Sequence, residues 1–380
     1  MHIRDLLQTR PLTSKQMQSE TGQSQATISR ELSALGNELV RIKKGRSIYY
    51  ALAISSFGIA NSIPLFQTNS DGQSRQCANL RPLANGEFFV QPVIDNFPLP
   101  LLGENSNGYF PSLPYFIYDL APQGFLGRQI AQAINAKNDF FSANPKHWSD
   151  QQIGRYLVNE GYDLPGNLTL GQPRLIDEPI KKLTRSDYPK LAENILSGGL
   201  AGSSAGGEQP KFAVYNSEIE AHVIVKFSPA GNDPISRRWK QLLISEHHSL
   251  CALNEQGLAA ATTQLIELKD RVYLESVRFD RQAMQGRSSL ISLQAVDMEF
   301  TGTGGNWPEV MKGLSRLNLV SEKDVAITET LYQYGQKIGN TDMHLGNLSL
   351  EITANGFKLL PIYDMLPMKY APIGGEIPKW

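Results

Sequence analysis

Ile338-Gly339-Asn340-Thr341-Asp342-Met343-His344-Leu345-Gly346-Asn347-Leu348-Ser349-Leu350-Glu351-Ile352-Thr353-Ala354-Asn355-Gly356-Phe357-Lys358-Leu359-Leu360-Pro361-Ile362-Tyr363-Asp364-Met365-Leu366 decides how the chain is read. A polar loop, Gly339 to Asn347, runs into an alternating stretch, Leu348 to Ile352, that suits a half-buried strand. Asn355-Gly356 is the strongest short hairpin signal, because a type I′ turn needs positive φ at both central residues. A second strand returns through Phe357 to Tyr363 and delivers Asp364. With Asn355-Gly356 as a two-residue turn, Ala354 faces Phe357. The same register sets Asn347 opposite Asp364, with Cα atoms roughly 4.5–5.5 Å apart. A carboxylate and an amide oxygen meeting there could share a hard cation such as Mg²⁺.

Asp342 stands five residues before Asn347. That is the Asp-x-x-x-x-Asn spacing of a protein-kinase catalytic loop, in which the Asp takes the hydroxyl proton and the Asn and a later Asp bind Mg²⁺. An ordinary polar loop before a surface hairpin would show the same spacing. The apolar setting of Asp364, between Ile362-Tyr363 and Met365-Leu366, favours the catalytic reading. His344 reads as a loop-positioning hydrogen-bonder rather than a metal ligand, since no Cys or His cluster accompanies it.

Upstream, Ser197 to Lys211 is dense in small residues, which lets backbone N–H groups approach phosphates. It is not a Walker A loop, and a flexible linker would have the same composition. Two strands follow, Phe212 to Tyr215 and His222 to Phe227, the second carrying Lys226 between Val225 and Phe227. A helix from about Ile235 to Gln256 has an apolar stripe with Glu246 on it. A carboxylate there needs a partner, and Lys226 is the natural one; at the stripe's edge it would instead be solvated. A strand Lys paired with a helix Glu is the kinase device for the α/β-phosphates. Val272 to Arg281 suits a hinge whose backbone would meet adenine. Gly-rich loop, Lys, Glu, hinge, Asp-x-x-x-x-Asn, Asp is the order along a protein kinase.

At the other end, residues 1–53 read as three short helices and a hairpin. Thr13 or Ser14 can cap the second helix, which Gly22 ends, and Ser24 caps the third. Ile28, Leu32 and Leu35 form one stripe of the third helix. Its outer face offers Gln23, Gln25, Thr27, Ser29 and Arg30 to base edges and phosphates. Leu39 to Leu52 reads as a hairpin, a wing, with Lys43, Lys44 and Arg46 at its tip. These residues hold eight Lys/Arg and four acids, against a whole-chain net charge of −1. A basic module on an acidic body is expected of a DNA-binding winged helix-turn-helix; a winged helix used for protein contact is the alternative. Between the two ends, Ser62 to Gly86 reads as linker or loops, Phe88 to Val93 as a strand, and Gly124 to Ala136 and Trp148 to Gly161 as helices.

The totals agree with a soluble globular protein of two or three domains: 380 residues, 41% hydrophobic, two cysteines and no apolar run of 18 residues. A cytoplasmic, reducing location with no membrane partner is expected.

Ser204 to Lys211, the Val225-Lys226-Phe227 strand, Val277-Arg278-Phe279-Asp280-Arg281, Asn340 to Asn347 and Tyr363-Asp364 together resemble the HipA family of bacterial serine/threonine kinase toxins. The resemblance covers roughly residues 85–380. It implies an α+β, bilobal protein-kinase-like fold, here with its own N-terminal winged helix-turn-helix. The organisation expected is a DNA-binding head over 1–55, a linker and HipA-like N-terminal part over 56–190, the nucleotide-binding part of the kinase core over 191–285 and a catalytic lobe over 286–380.

The resemblance also assigns roles. Asp342 would be catalytic, and Asn347 and Asp364 would bind Mg²⁺. Ala205, Gly206, Gly207, Glu208, Gln209 and Lys211 would cradle the ATP phosphates. Lys226, Val277, Phe279, His344 and Tyr363 would line the rest of the ATP site, and Glu246 would pair with Lys226. Ser204, or adjacent Ser203, would be autophosphorylated. The chain departs from the family at Gly346, where a lysine is usual, and at Val277, where an acid is usual. Implied partners are DNA through residues 1–55, a protein substrate such as an aminoacyl-tRNA synthetase, and an antitoxin. The competing reading is a transcription regulator whose kinase-like body only senses nucleotide or a small effector.

Overall fold

The structure is a computed structural model that describes residues 2–161, 163–172, 180, 182–197 and 209–378. At the N-terminus, α1 (Ile3–Leu7), α2 (Ser14–Thr21) and α3 (Gln25–Ala34) pack on a small sheet of β1 (Leu12–Thr13), β2 (Leu39–Lys44) and β3 (Ser47–Leu52), ordered β1-β3-β2. The capping signals act as read. Thr13 Oγ1 accepts from Gln16 N, Ser24 Oγ accepts from Thr27 N, and Gly22 ends α2 at φ 69°. Ile3, Leu7, Leu12, Met17 and Ile28 fill the centre of this head.

The head is joined to the next sheet along a hydrogen-bonded seam. Ile54 N donates to Pro82 O (2.9 Å) and Ala84 N to Leu52 O (2.8 Å). Arg81 donates to the carbonyls of Asn61 and Asn37. Val40, Ile42, Ala51, Ala53 and Leu83 share one apolar cluster across the joint.

Beyond it lies an antiparallel sheet ordered β7-β6-β5-β4-β8, built from β4 (Ile63–Thr68), β5 (Ser74–Pro82), β6 (Phe88–Pro92), β7 (Tyr109–Phe110) and β8 (Leu168–Leu170). It packs with α4 (Tyr115–Tyr118), α5 (Gly124–Asn135) and α6 (Asp150–Glu160). This corrects the linker reading of Ser62 to Gly86. Most polar residues there occupy exposed faces and the turn, Thr68 and Arg81 being buried, while Ile63, Leu65, Cys77, Ala78 and Leu80 fill the core. A bulge between Leu65 and Phe66 breaks the alternation that would have signalled a strand.

A second five-stranded sheet, ordered β12-β13-β11-β10-β9, contains β9 (Lys182–Leu183), β10 (Lys211–Asn216), β11 (Ala221–Phe227), β12 (Thr263–Leu268) and β13 (Arg271–Val277). Helix α7 (Tyr188–Ile195) covers one face, burying Tyr188 and Ala192 with Val223, Val225, Phe227 and Tyr273. Helix α8 (Pro234–Glu255) covers the other, with Leu243 against Val272 and Leu274.

The last part holds a two-stranded turn, β14 (Arg281–Gln282) and β15 (Gly286–Arg287), and a sheet of β16 (Ile291–Ser292), β17 (Ser349–Ile352) and β18 (Phe357–Leu359). Helices α9 (Leu293–Phe300), α10 (Trp307–Arg316) and α11 (Glu322–Ile338) surround these strands. No helix among the described residues is long and apolar enough to cross a membrane.

The hairpin register differs from the one expected. Ile352, not Ala354, faces Phe357, and Leu350 faces Leu359, a slip of two residues. Asn347 and Asp364 are therefore not cross-strand neighbours. Neither Asn355 nor Gly356 takes a positive φ, so there is no type I′ turn. Outside contacts claim the loop instead: Leu99 N donates to Ala354 O (2.9 Å) and Phe357 N to Leu319 O (2.7 Å). A Cβ on Gly356 would lie 2.3 Å from Leu319 O, so the glycine serves close approach rather than a left-handed turn. The second strand also stops early. After Leu360 the chain turns to Ala259–Ala261, where Ile362 N donates to Ala259 O (3.0 Å).

Candidate active site

The alternation of β11 turns Val223, Val225 and Phe227 into the α7 core and leaves Lys226 on the opposite face. Lys211 is its direct cross-strand neighbour. Helix α8 begins at Asp233, whose carboxylate accepts from Ile235 N and Ser236 N, and it carries Glu246 inward at 2% exposure. Lys226 Nζ donates to Glu246 Oε1 at 2.6 Å and to Asp364 Oδ1 at 2.6 Å. The pairing expected of Lys226 and Glu246 is thus present, with a second carboxylate on the same ammonium.

Burial alone would lower the Lys226 pKa, but Asp364 and Glu246 together raise it. Burial also works against the Asp364 carboxylate, yet Lys226 and then Lys211 hold its pKa down at about 2. Burial wins at Glu246, whose carboxyl is raised and whose Oε2 has no hydrogen-bond partner.

The polar loop is held from several sides. Helix α11 ends at Gly339 in the left-handed region (φ 78°), and Asn340 N donates to Gly335 O at 2.8 Å. The Asn340 side chain then does two things. Its Oδ1 accepts from Asp342 N (3.0 Å), and its Nδ2 donates to Asp364 O (3.0 Å). Asn347 Nδ2 donates to Asp342 O at 2.8 Å. His344 Nδ1 accepts from Gly346 N (3.1 Å), and its Nε2 lies 4.0 Å from Asp342 Oδ1. A Cβ at Gly346 would sit 3.0 Å from the His344 ring, so the glycine leaves room for that ring. Trp307 Nε1 donates to His344 O (2.8 Å), and Tyr363 Oη donates to Gly346 O (3.2 Å).

An unbroken series of contacts therefore links Asn347, Asp342, Asn340, Asp364, Lys226 and Glu246, drawn from a loop, a strand and a helix far apart in sequence. Asn347 Oδ1 and Asp364 Oδ2 accept no hydrogen bond from a described residue. An amide oxygen and a carboxylate oxygen are donor types that a hard divalent cation takes.

The remaining expected residues fall as follows. Gln209 is buried; it donates through Nε2 to Phe227 O (2.7 Å), and its Oε1 is buried without a hydrogen-bond partner among the described residues. Val277 N donates to Thr262 O, and the Phe279 ring lies 5.9 Å from that of Tyr363. Asp280 and Arg278 pair beside Phe279 at 2.8 Å, and Asp280 Oδ2 accepts from Gly166 N, which fixes this segment to the middle of the chain. Ser203, Ser204, Ala205, Gly206, Gly207 and Glu208 lie outside the described residues.

Sequence reasoning missed the roles of Asn340 and Trp307. Asn340 stood inside the quoted loop with nothing to distinguish it from its neighbours. Trp307 carries no local signal that it supports a carbonyl at His344.

On the head, Gln25, Ser29, Arg30, Lys43 and Arg46 are exposed, and Thr27 is half-buried beside Ser24. Lys44 is different. Its Nζ sits 3.4 Å from the Tyr109 ring centroid, against the middle sheet, and burial lowers its pKa.

The kinase-like arrangement of sheet, helix and loop is that of HipA-like proteins. Residues 203–376 match the HipA-like C-terminal domain, and residues 59–177 match the middle domain of YjjJ-like toxins. The toxin YjjJ of Escherichia coli (strain K12) is 35% identical over 391 residues, covering 97% of this chain and 83% of that protein. Among solved structures, HipA from a Shewanella oneidensis MR-1 toxin–antitoxin complex with HipB and operator DNA superposes with a TM-score of 0.56. That match has 16% identity and covers 80% of this chain and 76% of that one. The chain belongs to the HipA-like toxin family, in company with YjjJ.

Proposed function

We propose that the protein is an ATP- and Mg²⁺-dependent protein serine/threonine kinase that acts as a toxin and binds DNA through an N-terminal winged helix-turn-helix. The single observation that carries the kinase reading is the linked set Asp342–Asn347–Asp364–Lys226–Glu246. Asn347 Oδ1 and Asp364 would hold the cation, whose chemistry is to neutralise phosphate charge. Glu246 fixes Lys226 so that its ammonium can meet the α/β-phosphates, and Lys211 adds a second positive charge beside it. Asp342, whose backbone N–H and C=O are both hydrogen-bonded, would take the proton of an incoming serine or threonine hydroxyl. Autophosphorylation at Ser203 or Ser204 belongs to the same proposal.

The head supports the second part. Gln25, Ser29 and Arg30 on α3 and Lys43 and Arg46 on the hairpin stand in solvent, as a recognition helix and wing require. The HipA of Shewanella oneidensis was solved with an antitoxin and operator DNA, which makes both the partners to look for here.

Incubation with labelled ATP, Mg²⁺ and candidate protein acceptors tests the reading. Labelling that disappears in Asp342→Asn is the expected result. ATP binding with no labelling under any condition would instead select the nucleotide-sensing regulator.

A further inference from the structure

We infer that Asn340 is a positioning residue for phosphoryl transfer: its one side-chain amide sets the backbone of the loop bearing Asp342 against the backbone of Asp364. The inference rests on the kinase reading above and adds a residue to it. Asn340 is 4% exposed. Its amide has one acceptor end and one donor end, and both are used: Oδ1 takes the N–H of Asp342 within the same loop (3.0 Å), and Nδ2 gives to the carbonyl of Asp364 on the segment after the last strand (3.0 Å). The opposite orientation of the amide would set NH₂ against N–H and oxygen against oxygen, so the orientation is fixed by its neighbours.

The far end of this link is a residue that needs holding. Asp364 has φ 55°, the left-handed region that side chains other than glycine rarely adopt. Its carboxylate is pinned by Lys226 and its carbonyl by Asn340. A backbone in this region persists where the surrounding contacts hold it. The near end is equally defined. Asn340 follows Gly339 at the C-terminus of α11, and its own N–H caps that helix through Gly335 O (2.8 Å).

The two roles are separable. Helix capping uses the Asn340 backbone, which any non-proline substitution keeps. The bridge uses the side chain, which faces the loop and Asp364. A residue serving only the fold would change stability and the amount of active protein. A residue setting Asp364 relative to the loop would change the affinity of the cation held by Asp364 and Asn347.

The test uses the full chain with Asn340→Ala and Asn340→Asp. The aspartate is nearly isosteric, keeps an acceptor for Asp342 N–H, and sets an oxygen against the Asp364 carbonyl. Mn²⁺ serves as the probe, its binding read by electron paramagnetic resonance in the presence of a non-hydrolysable ATP analogue. The Mg²⁺ concentration giving half-maximal labelling and the thermal midpoint are measured alongside. Both variants are expected to bind Mn²⁺ about tenfold to a hundredfold more weakly and to need correspondingly more Mg²⁺, in protein that still unfolds cooperatively. Unchanged Mn²⁺ affinity in either folded variant, with only the thermal midpoint lowered, would overturn the inference and leave the kinase reading standing. A wild-type protein that binds neither Mn²⁺ nor nucleotide would remove the kinase reading, and this inference with it.

Discussion

At the β2–β3 hairpin, Lys43 and Arg46 point into water. In the cleft, Lys226 has an almost fully buried ammonium clasped by two carboxylates. The head's ion pairs, Arg4–Glu38 and Arg10–Glu20, are exposed, whereas Glu246 and Asp280 are almost entirely enclosed. Exposed charges are screened, add little to stability and stay available to an outside polyanion. Buried ones depend on each other, so removing one strands the rest. The difference implies that the head can lose charges one at a time, with graded effects. The cleft cannot.

The largest expected effect tests the cleft side. Asp342→Asn should lower the rate of ATP-dependent labelling by about 10²–10⁴-fold, as loss of a general base does, with an unchanged melting temperature because the side chain is exposed. Labelling at the wild-type rate would break the assignment. Next, Lys226→Met should destabilise the fold by about 3–5 kcal/mol in denaturant titration, since it removes the ammonium bonded to both Glu246 and Asp364 and leaves only the more distant charge of Lys211. A cost below about 1 kcal/mol would place the pair effectively in solvent and erase the contrast with the head.

Acid provides a third test. Asp364 and Asp280 both have pKa values held down at about 2, below the ordinary carboxylate value. A carboxyl depressed in the folded state gives stability that is complete above its unfolded pKa, near 4, and is lost as pH falls toward 2. Each should contribute roughly 2 kcal/mol that disappears across that window. Glu246, raised by burial, works in the opposite sense. Unfolding free energy measured from pH 5 to pH 2 should fall, and in Lys226→Met the Asp364 share should be smaller, with Lys211 left to hold it.

The head gives the smaller effects. Lys43→Ala with Arg46→Ala should reduce the salt slope of DNA affinity by about 2 if both meet phosphates. Lys44→Ala should leave that slope alone and cost about 1 kcal/mol or less of stability through the lost contact with Tyr109. If Lys44→Ala alone flattens the slope, the inward placement of Lys44 is not the one that meets DNA.

What could be read beforehand follows from how local each signal is. The caps Thr13 and Ser24, the glycine ending α2, and the carboxylate of Glu246 on an apolar stripe are decided by neighbours within a turn or two. The Lys226–Glu246 pair was legible because strand and helix are consecutive and a buried acid demands a cation. The hairpin register was not, because Leu319 and Leu99 capture the turn from remote parts of the chain and override the preference of Asn355-Gly356. Lys44 looked like its neighbours at the hairpin tip until Tyr109, more than sixty residues on, was found beneath it. Asn340 and Trp307 act through side-chain hydrogen bonds to backbone atoms, which leave no pattern in sequence.

The seam between head and middle sheet has a hydrodynamic consequence. With Ile54 and Ala84 hydrogen-bonded across it and Arg81 reaching Asn37, α3 has no tether on which to swing. Its amides should relax at the slow rotational rate of a 42.1 kDa particle rather than that of a small independent module. α3 is then held against the middle sheet, so that whatever orients one orients the other.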